Sequence, residues 1–225
     1  MTTGAQPPGH ETGREDERFM ARALEIARTH LGKTSPNPSV GCVIVADGEI
    51  VSEGVTGVGG RPHAEETALK AAGDKADGAT AYVTLEPCSA RSNGALSCSQ
   101  LLVQAGITRV VVACEDPHPL GAHGVSRLGA AGVEVMLGVG RTQAEALNAG
   151  FFKMIATGRP WLAIDSDAAS YDAEFDMKRD ETYEAALERL AKAGFTRIHV
   201  RPGTPLAAQL SARGLVDEDV AANPK

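Results

Sequence analysis

One histidine and two cysteines of this sequence have the types and the spacing of a metal site. His63 stands two residues before Glu65, and nine residues separate Cys88 from Cys98. One imidazole and two thiolates are three ligands of a tetrahedral Zn²⁺, and they leave the fourth position for water, as catalytic zinc sites do. The order His-x-Glu, then Pro-Cys, then a further Cys is typical of nucleobase deaminases, whose glutamate is a general acid and base rather than a ligand. We therefore predict that His63, Cys88 and Cys98 bind Zn²⁺ and that Glu65 transfers protons.

These residues lie at the predicted starts of two helices. Residues 63–72 and 99–105 have helical patterns, and residues 79–85 form a predicted strand that leads to Cys88. The free N–H groups and the dipole at a helix N-terminus favour a thiolate over a thiol. Because the first residue of a helix still turns in from a loop, we expect His63 and Glu65 to reach the same pocket.

Predicted strands and helices alternate along the rest of this region. Further helices are predicted at 15–31 and 125–131, and further strands at 40–45, 49–53, 109–113 and 133–137. Such alternation predicts an α/β fold with helices on both faces of a sheet. The first 14 residues, rich in glycine, proline and charge, are typical of a disordered tail.

Composition excludes several classes of function. The chain has 225 residues and a net charge of −7, so no basic face for nucleic acid is expected. No apolar run reaches the ~18 residues of a membrane span, and the polar N-terminus lacks the apolar segment of a signal peptide. We therefore expect a cytoplasmic protein, whose four cysteines serve metal binding, catalysis or burial rather than disulfides. Cys42 and Cys114 lie in strand-like segments and are predicted to belong to the core.

From Phe19 to Arg159 the sequence resembles the deaminase half of the bifunctional deaminase/reductases of riboflavin biosynthesis. The resemblance is carried by the segments FMARALEIAR, SPNPSVGCVIVADGEIV, RPHAEETAL, GATAYVTLEPCS and GITRVVVACEDPHP. It implies a three-layer α/β/α, cytidine deaminase-like mixed sheet and a zinc-dependent hydrolytic deamination of diaminohydroxyphosphoribosylaminopyrimidine. It also implies the zinc ligands and the role of Glu65 given above, and it implies that Asn37 and Asp116 contact the substrate.

The loop between the two cysteines departs from the family's usual sequence. It reads CSARSNGALSC and lacks the histidine, the threonine and the proline pair that family members carry there. Thr56 likewise occupies a position where the family tends to have a histidine. The missing groups are expected near the substrate's phosphate. Either Arg91 or Arg61 is expected to compensate, since a guanidinium binds phosphate in bidentate fashion. Within this loop, Ser89 and Arg91 are our predicted substrate contacts.

Residues 160–225 resemble fragments of the family's reductase domain. A complete reductase domain has roughly 200 residues, which is within the usual size of a domain. Residues 160–225 are only 66 residues, so we predict a truncated α/β remnant. Arg201, Pro202 and Gly203 stand where the family tends to have Glu-Gly-Gly, and Pro202 has no N–H to offer a cofactor phosphate. We predict no NADPH-dependent activity. The predicted organisation is a tail (1–14), a deaminase domain (15–159) and a remnant (160–225) that serves as a cap, a dimer surface or a relic.

Two further hypotheses stay open at this point. The altered loop is compatible with the same deamination chemistry on another pyrimidine, a pterin or a nucleoside. The degraded second domain is compatible with a catalytically inactive zinc-binding scaffold, although a purely structural zinc site would not need Glu65. Whether the chain deaminates the riboflavin-pathway substrate or another amine, we expect a small-molecule substrate and a homodimer.

Overall fold

The computed structural model describes residues 9–220 and 222, and these residues form two compact units. The first unit contains the described residues up to Thr29 together with Val40–Thr56 and Pro62–Ala144. The second contains His30–Ser39, Gly57–Arg61 and the chain from Glu145 onward. Short segments of the early sequence therefore belong with the C-terminal part, which no local pattern indicates. The domain boundary at residue 160 stays a prediction.

A five-stranded mixed sheet organises the first unit. Its strands are β1 (Gly41–Ala46), β2 (Glu49–Val55), β3 (Thr80–Val83), β4 (Arg109–Val112) and β5 (Glu134–Leu137). The helices that accompany them are α1 (Gly9–Arg28), α2 (Ala64–Ala72), α3 (Cys98–Gln104), α4 (Gly124–Ala130) and α5 (Arg141–Leu147). The strand order is β2-β1-β3-β4-β5, with β1 antiparallel to β2 and β3 and with β3, β4 and β5 parallel. The predicted α/β fold with a mixed sheet is confirmed.

Helix α1 begins earlier than the sequence indicates. The predicted helix starts at residue 15, whereas the observed one starts at Gly9, so residues 9–14 of the predicted tail are helical. Phe19 and Met20 are buried and anchor the helix. Once such packing has nucleated a helix, each further polar residue extends it at little cost. The first eight residues of the predicted tail lie outside the described residues.

Two glycines allow helices to pack closely on opposite faces of the sheet. A Cβ on Gly41 would lie 2.0 Å from the carbonyl oxygen of Ala23 in α1. A Cβ on Gly54 would lie 2.1 Å from the carbonyl oxygen of Ala64 in α2. Gly54 pairs with Cys42, the neighbour of Gly41 in β1, and successive residues of a strand face opposite sides. Helices α1 and α2 therefore cover the two faces, which gives the three-layer arrangement.

The parallel strands β3 and β4 bring two loops together. Both strands end at the same edge of the sheet, Val83 beside Val112, so the segments 84–97 and 113–123 leave from neighbouring points. The backbone N–H of Glu86 donates to the carbonyl of Cys114 over 2.9 Å, which ties the two segments at their origin. These segments carry half of the eight predicted site residues, namely Cys88, Ser89, Arg91 and Asp116.

A buried ion pair attaches α1 to the strands. The guanidinium of Arg109 donates to the two carboxylate oxygens of Asp16 over 2.8 and 2.9 Å, and the hydroxyl of Tyr82 donates to the same carboxylate over 2.8 Å. Burial alone would raise the pKa of Asp16, but the bonds from Arg109 and Tyr82 outweigh it and lower that pKa. The carboxylate is therefore held in its charged form.

A small parallel sheet forms the second unit. Its strands are β6 (Trp161–Ile164), β7 (Ala173–Glu174), β8 (Arg197–Val200) and β9 (Glu218–Asp219), in the order β7-β8-β6-β9. Its helices are α6 (Ala149–Thr157), α7 (Tyr183–Lys192) and α8 (Pro205–Ala212). Leu162, Ile198 and Leu210 are fully buried in its own hydrophobic core. Across the described parts of both units, no helix combines the length and the apolar content that crossing a bilayer requires.

Candidate metal centre

Capping hydrogen bonds place a ligand residue at the start of each of two helices. His63 precedes α2 with extended backbone angles (φ −70°, ψ 158°), and its N–H donates to the carboxylate of Glu66 over 2.7 Å. Ser97 precedes α3, where its N–H donates to Gln100 over 2.9 Å and its hydroxyl accepts the Gln100 N–H over 3.3 Å. The second arrangement is a capping box, which fixes where a helix starts. Cys98 is therefore held as the first residue of α3.

The three predicted ligands come together in the structure. The Nδ1 atom of His63 lies 3.2 Å from the sulfur of Cys98 and 3.8 Å from the sulfur of Cys88. All three ligand atoms lie within 4.8 Å of one another. Bond lengths of about 2.0 Å to nitrogen and about 2.3 Å to sulfur put ligands of a tetrahedral zinc roughly 3.5–3.8 Å apart. The residues present therefore fit a zinc ion, and among the described residues these three form the candidate ligand group.

The surroundings of Cys88 favour its thiolate form. The side chain of Cys98 donates to Cys88, and this bond together with that from His63 lowers the pKa of Cys88 to about 3, against the opposing effect of burial. The N–H of Cys98, at the start of α3, also donates to the sulfur of Cys88 over 3.2 Å. The pKa of Cys98 is raised, because its proton is held by Cys88 and because it is buried. A metal ion would replace that proton.

Glu65 is a buried acid beside the ligands. Its side chain is 3 % exposed and lies one helical residue beyond the start of α2. Burial raises the pKa of Glu65, the charge of His63 lowers it, and the negative charge of Cys88 raises it further. Glu65 thus interacts electrostatically with two of the predicted ligands, His63 and Cys88, and its role in proton transfer stays a prediction.

Ser89 and Asp116 lie in the two adjoining loops. The N–H of Ala90 and the hydroxyl of Ser89 both donate to the carbonyl of Leu120, over 3.2 and 3.4 Å. Asp116 is half-buried and accepts the N–H of His118 over 2.8 Å. Burial raises the pKa of Asp116, and the charge of Cys88 contributes to the same direction. The structure thus brings these two predicted contacts to loops that adjoin the ligands, and their contact with substrate stays a prediction.

Asn37 belongs to the second unit. Its side-chain amide lies 3.4 Å from the carbonyl of Gly59 and packs against Gly60, where a Cβ would lie 2.1 Å from the Asn37 amide nitrogen. Gly60 also has a φ of +91°, which glycine adopts without strain. The substrate contact predicted for Asn37 stays a prediction.

Arg91 is turned towards protein groups. Its side chain is 5 % exposed and forms an ion pair with Glu66 over 2.8 Å. A second guanidinium nitrogen donates to the sulfur of Cys98 over 3.2 Å. Both terminal nitrogens thus have protein partners, whereas the predicted phosphate contact requires at least one of them to face the substrate.

The remaining cysteines are buried, as predicted. Cys42 is fully buried and Cys114 is 2 % exposed. Burial raises the pKa of Cys42 well above its ordinary value, which suits a core thiol rather than a ligand. All four cysteines are free of disulfides.

Three residues that support the candidate site were not predicted from the sequence. Glu66 and Ser97 cap the two ligand-bearing helices, and the segments His-Ala-Glu-Glu and Ser-Cys-Ser-Gln carry the spacing that would have revealed them. Glu86 is buried and accepts the N–H groups of Val125 and Asp116, over 2.9 and 3.2 Å. No short-range pattern marks Glu86, because both of its partners are distant in sequence.

Residues 13–114 match the family model of the cytidine and deoxycytidylate deaminase zinc-binding region. The chain is 47 % identical over 169 residues to the riboflavin biosynthesis protein RibD of Escherichia coli, an alignment that covers 75 % of this chain and 46 % of that protein. It is 43 % identical over 151 residues to the chloroplastic riboflavin biosynthesis protein PYRD of Arabidopsis thaliana, covering 67 % and 35 %. The chain thus spans about half or less of the length of these relatives.

The fold is shared with solved structures. The structure of Acinetobacter baumannii RibD matches with a TM-score of 0.79 at 27 % identity, covering 92 % of this chain and 86 % of that one. A deaminase/reductase from Thermotoga maritima matches with a TM-score of 0.81 at 24 % identity, covering 90 % and 85 %. These similarities confirm the predicted cytidine deaminase-like fold.

Proposed function

We propose that the chain is a zinc-dependent deaminase of the riboflavin biosynthesis family and that it removes an amine hydrolytically from diaminohydroxyphosphoribosylaminopyrimidine. The observation that carries the proposal is the convergence of His63, Cys88 and Cys98 within 4.8 Å, with the buried Glu65 beside them. A purely structural zinc site uses four protein ligands. Three ligands and an adjacent buried acid support a catalytic site instead.

Zinc would be held by His63, Cys88 and Cys98, and when bound it supplies Lewis acidity that makes water a nucleophile at neutral pH. The two thiolates of the site offset the charge of the ion. The capped starts of α2 and α3 hold the ligands in place before the metal arrives, so little rearrangement accompanies binding.

Glu65 would carry the proton between the attacking water and the leaving amine. A carboxylate oxygen of Glu65 accepts a proton from the water, and the protonated carboxyl then donates that proton to the exocyclic nitrogen, which departs as ammonia. The buried surroundings raise the pKa of Glu65, and a carboxyl group transfers protons in both directions best when its pKa lies near the working pH. Asp116 and Ser89, in the adjoining loops, and Asn37 are proposed to contact the substrate.

The test is a direct assay of ammonia release. Zinc-loaded protein would be offered the diaminopyrimidinone ribosylamine phosphate, its dephosphorylated analogue, cytidine, deoxycytidylate and an aminopterin. Preferential turnover of the ribosylamine phosphate supports the proposal. If only another amine is turned over, the chain performs the same deamination on that other substrate. If zinc-replete protein turns over none of these amines, the inactive scaffold is favoured.

One observation favours the first of these alternatives. Arg91 is the only cation between the two cysteines, and its guanidinium is held by Glu66 and Cys98 rather than directed outward. The exposed residues 92–96 of the loop carry no charge. A substrate without phosphate would need no cation there, so a dephosphorylated or nucleobase-like amine is our second candidate.

The chemistry of the site also supports a reducing compartment. The proposed activity needs two free thiols, and all four cysteines are free, which suits the cytoplasm. We propose a cytoplasmic homodimer. Light scattering of the purified full chain and fractionation of the source cells test the two parts separately.

A further inference from the structure

We propose that Arg91 is a positioning residue of the metal centre, which acts through the zinc ligands and not through the substrate. The observation is a continuous set of bonds that joins the long loop to two of the ligands. One terminal nitrogen of Arg91 donates to the sulfur of Cys98 over 3.2 Å. The other lies 2.8 Å from a carboxylate oxygen of Glu66. The second carboxylate oxygen of Glu66 accepts the N–H of His63 over 2.7 Å.

The side chain of Arg91 is buried, unlike those of its neighbours in the loop. The side chain of Arg91 is 5 % exposed, while residues 92–96 of the same loop are exposed. Its Nε is buried without a hydrogen-bond partner among the described residues. A buried guanidinium is costly unless it is paired, so the bonds to Cys98 and Glu66 must offset that cost. The loop therefore directs its only cation inward, at the ligands.

The charges around the site give this cation a physical role. Two thiolates balance a divalent ion, but Glu65 and Glu66 add two carboxylates on the first turn of α2. Arg91 is the cation in contact with both Glu66 and Cys98. A hydrogen bond donated to a metal-bound thiolate fixes the orientation of the sulfur and tempers its negative charge. Loss of such outer contacts typically costs 10–100-fold in metal affinity or activity.

The geometry also favours arginine over lysine. The planar guanidinium presents separate N–H groups in a fixed fork, so it can bond a sulfur and a carboxylate at once. An ammonium is a compact point charge on a flexible stem. Arg91→Lys should therefore keep the charge but hold only one of the two partners well.

The test measures zinc affinity of the full chain by competition with a chromophoric chelator, so it requires no substrate. Arg91→Ala should weaken Zn²⁺ binding by about 10–100-fold. The Zn²⁺ affinity of Arg91→Lys should lie between that of Arg91→Ala and that of the parent. Glu66→Gln should also weaken binding, and Arg91→Ala combined with Glu66→Gln should cost less than the product of the two single effects. Arg127→Ala removes an exposed arginine from α4 and should leave zinc affinity unchanged.

A second readout separates positioning from phosphate recognition. The role of Arg91 in deamination rests on the proposed function, whereas its effect on zinc affinity does not. With Co²⁺ in place of zinc, the thiolate-to-metal charge-transfer band should shift in Arg91→Ala and in Arg91→Lys. Equal losses of kcat on phosphorylated and dephosphorylated substrates would agree with positioning. Zinc affinity within twofold of the parent and an unshifted cobalt band in folded Arg91→Lys and Arg91→Ala would overturn the proposal, and an increase of KM for the phosphorylated substrate alone would assign Arg91 to phosphate instead.

Discussion

Replacing Gly54 by alanine should disturb catalysis although Gly54 is not one of the predicted site residues. Gly54 lies in β2 beneath the start of α2, where a Cβ would stand 2.1 Å from the carbonyl oxygen of Ala64 and 2.6 Å from the backbone nitrogen of Ala68. Both obstacles are backbone atoms, so no side-chain rotation relieves the clash. Ala64 lies between His63 and Glu65, and a shift of α2 therefore moves a zinc ligand and the proposed acid together.

The size of the effect follows from these distances. An ordinary contact between a carbon and a carbonyl oxygen is about 3.3 Å, so the start of α2 must move by about 1 Å. A misplacement of about 1 Å can reduce a rate on the order of 10²-fold. Overpacking by one methyl group also destabilises a core by about 1–3 kcal/mol. We therefore expect Gly54→Ala to fold, to unfold at lower denaturant and to lose about 10²-fold in kcat.

The assay compares kcat for ammonia release at saturating zinc with the free energy of unfolding from urea titration. Gly129→Ala is the matched control, because Gly129 lies in helix α4 and a Cβ there would have nothing within 4 Å. That control should be as active as the parent and more stable by up to about 1 kcal/mol, the difference in helix propensity. A folded Gly54→Ala protein with kcat within threefold of the parent would refute the close-packing argument.

Three further predictions concern the acid, a ligand and the ion pair of α1. Glu65→Gln should keep zinc and fold but lose about 10²–10⁴-fold in kcat; near-normal turnover would remove Glu65 from the mechanism. Cys98→Ser should lower the zinc content well below about one ion per chain, and full retention by elemental analysis would show that the third ligand is wrong. Because folding lowers the pKa of Asp16, its stabilisation is present above the unfolded value of about 3.9 and is lost as pH falls through the folded value. Urea unfolding should show Asp16→Asn less stable by about 1.5–3 kcal/mol at pH 7 and closer to the parent near pH 3; an equal difference at both pH values would contradict the assignment.

The chemistry of the site could be predicted from residue types and order. Zinc has few acceptable ligands, so His63, Cys88 and Cys98 in the order of a deaminase signature predicted a metal centre that the structure confirms as a cluster. Strand and helix periods predicted the α/β alternation. These inferences succeed because ligand chemistry and hydrophobic period are local properties of the chain.

The tertiary structure decided what local patterns do not encode. Whether Arg91 faces a phosphate or a thiolate depends on the path of a loop whose partner, Glu66, lies 25 positions earlier. The same holds for Glu86, which joins two loops, and for Asp16, which meets Arg109 from another element. A side chain's partner is set by which backbones approach each other, and that approach follows from packing of the whole sheet and its helices. The sequence by itself therefore determined which groups could bind zinc, and only the fold decided which charges surround them.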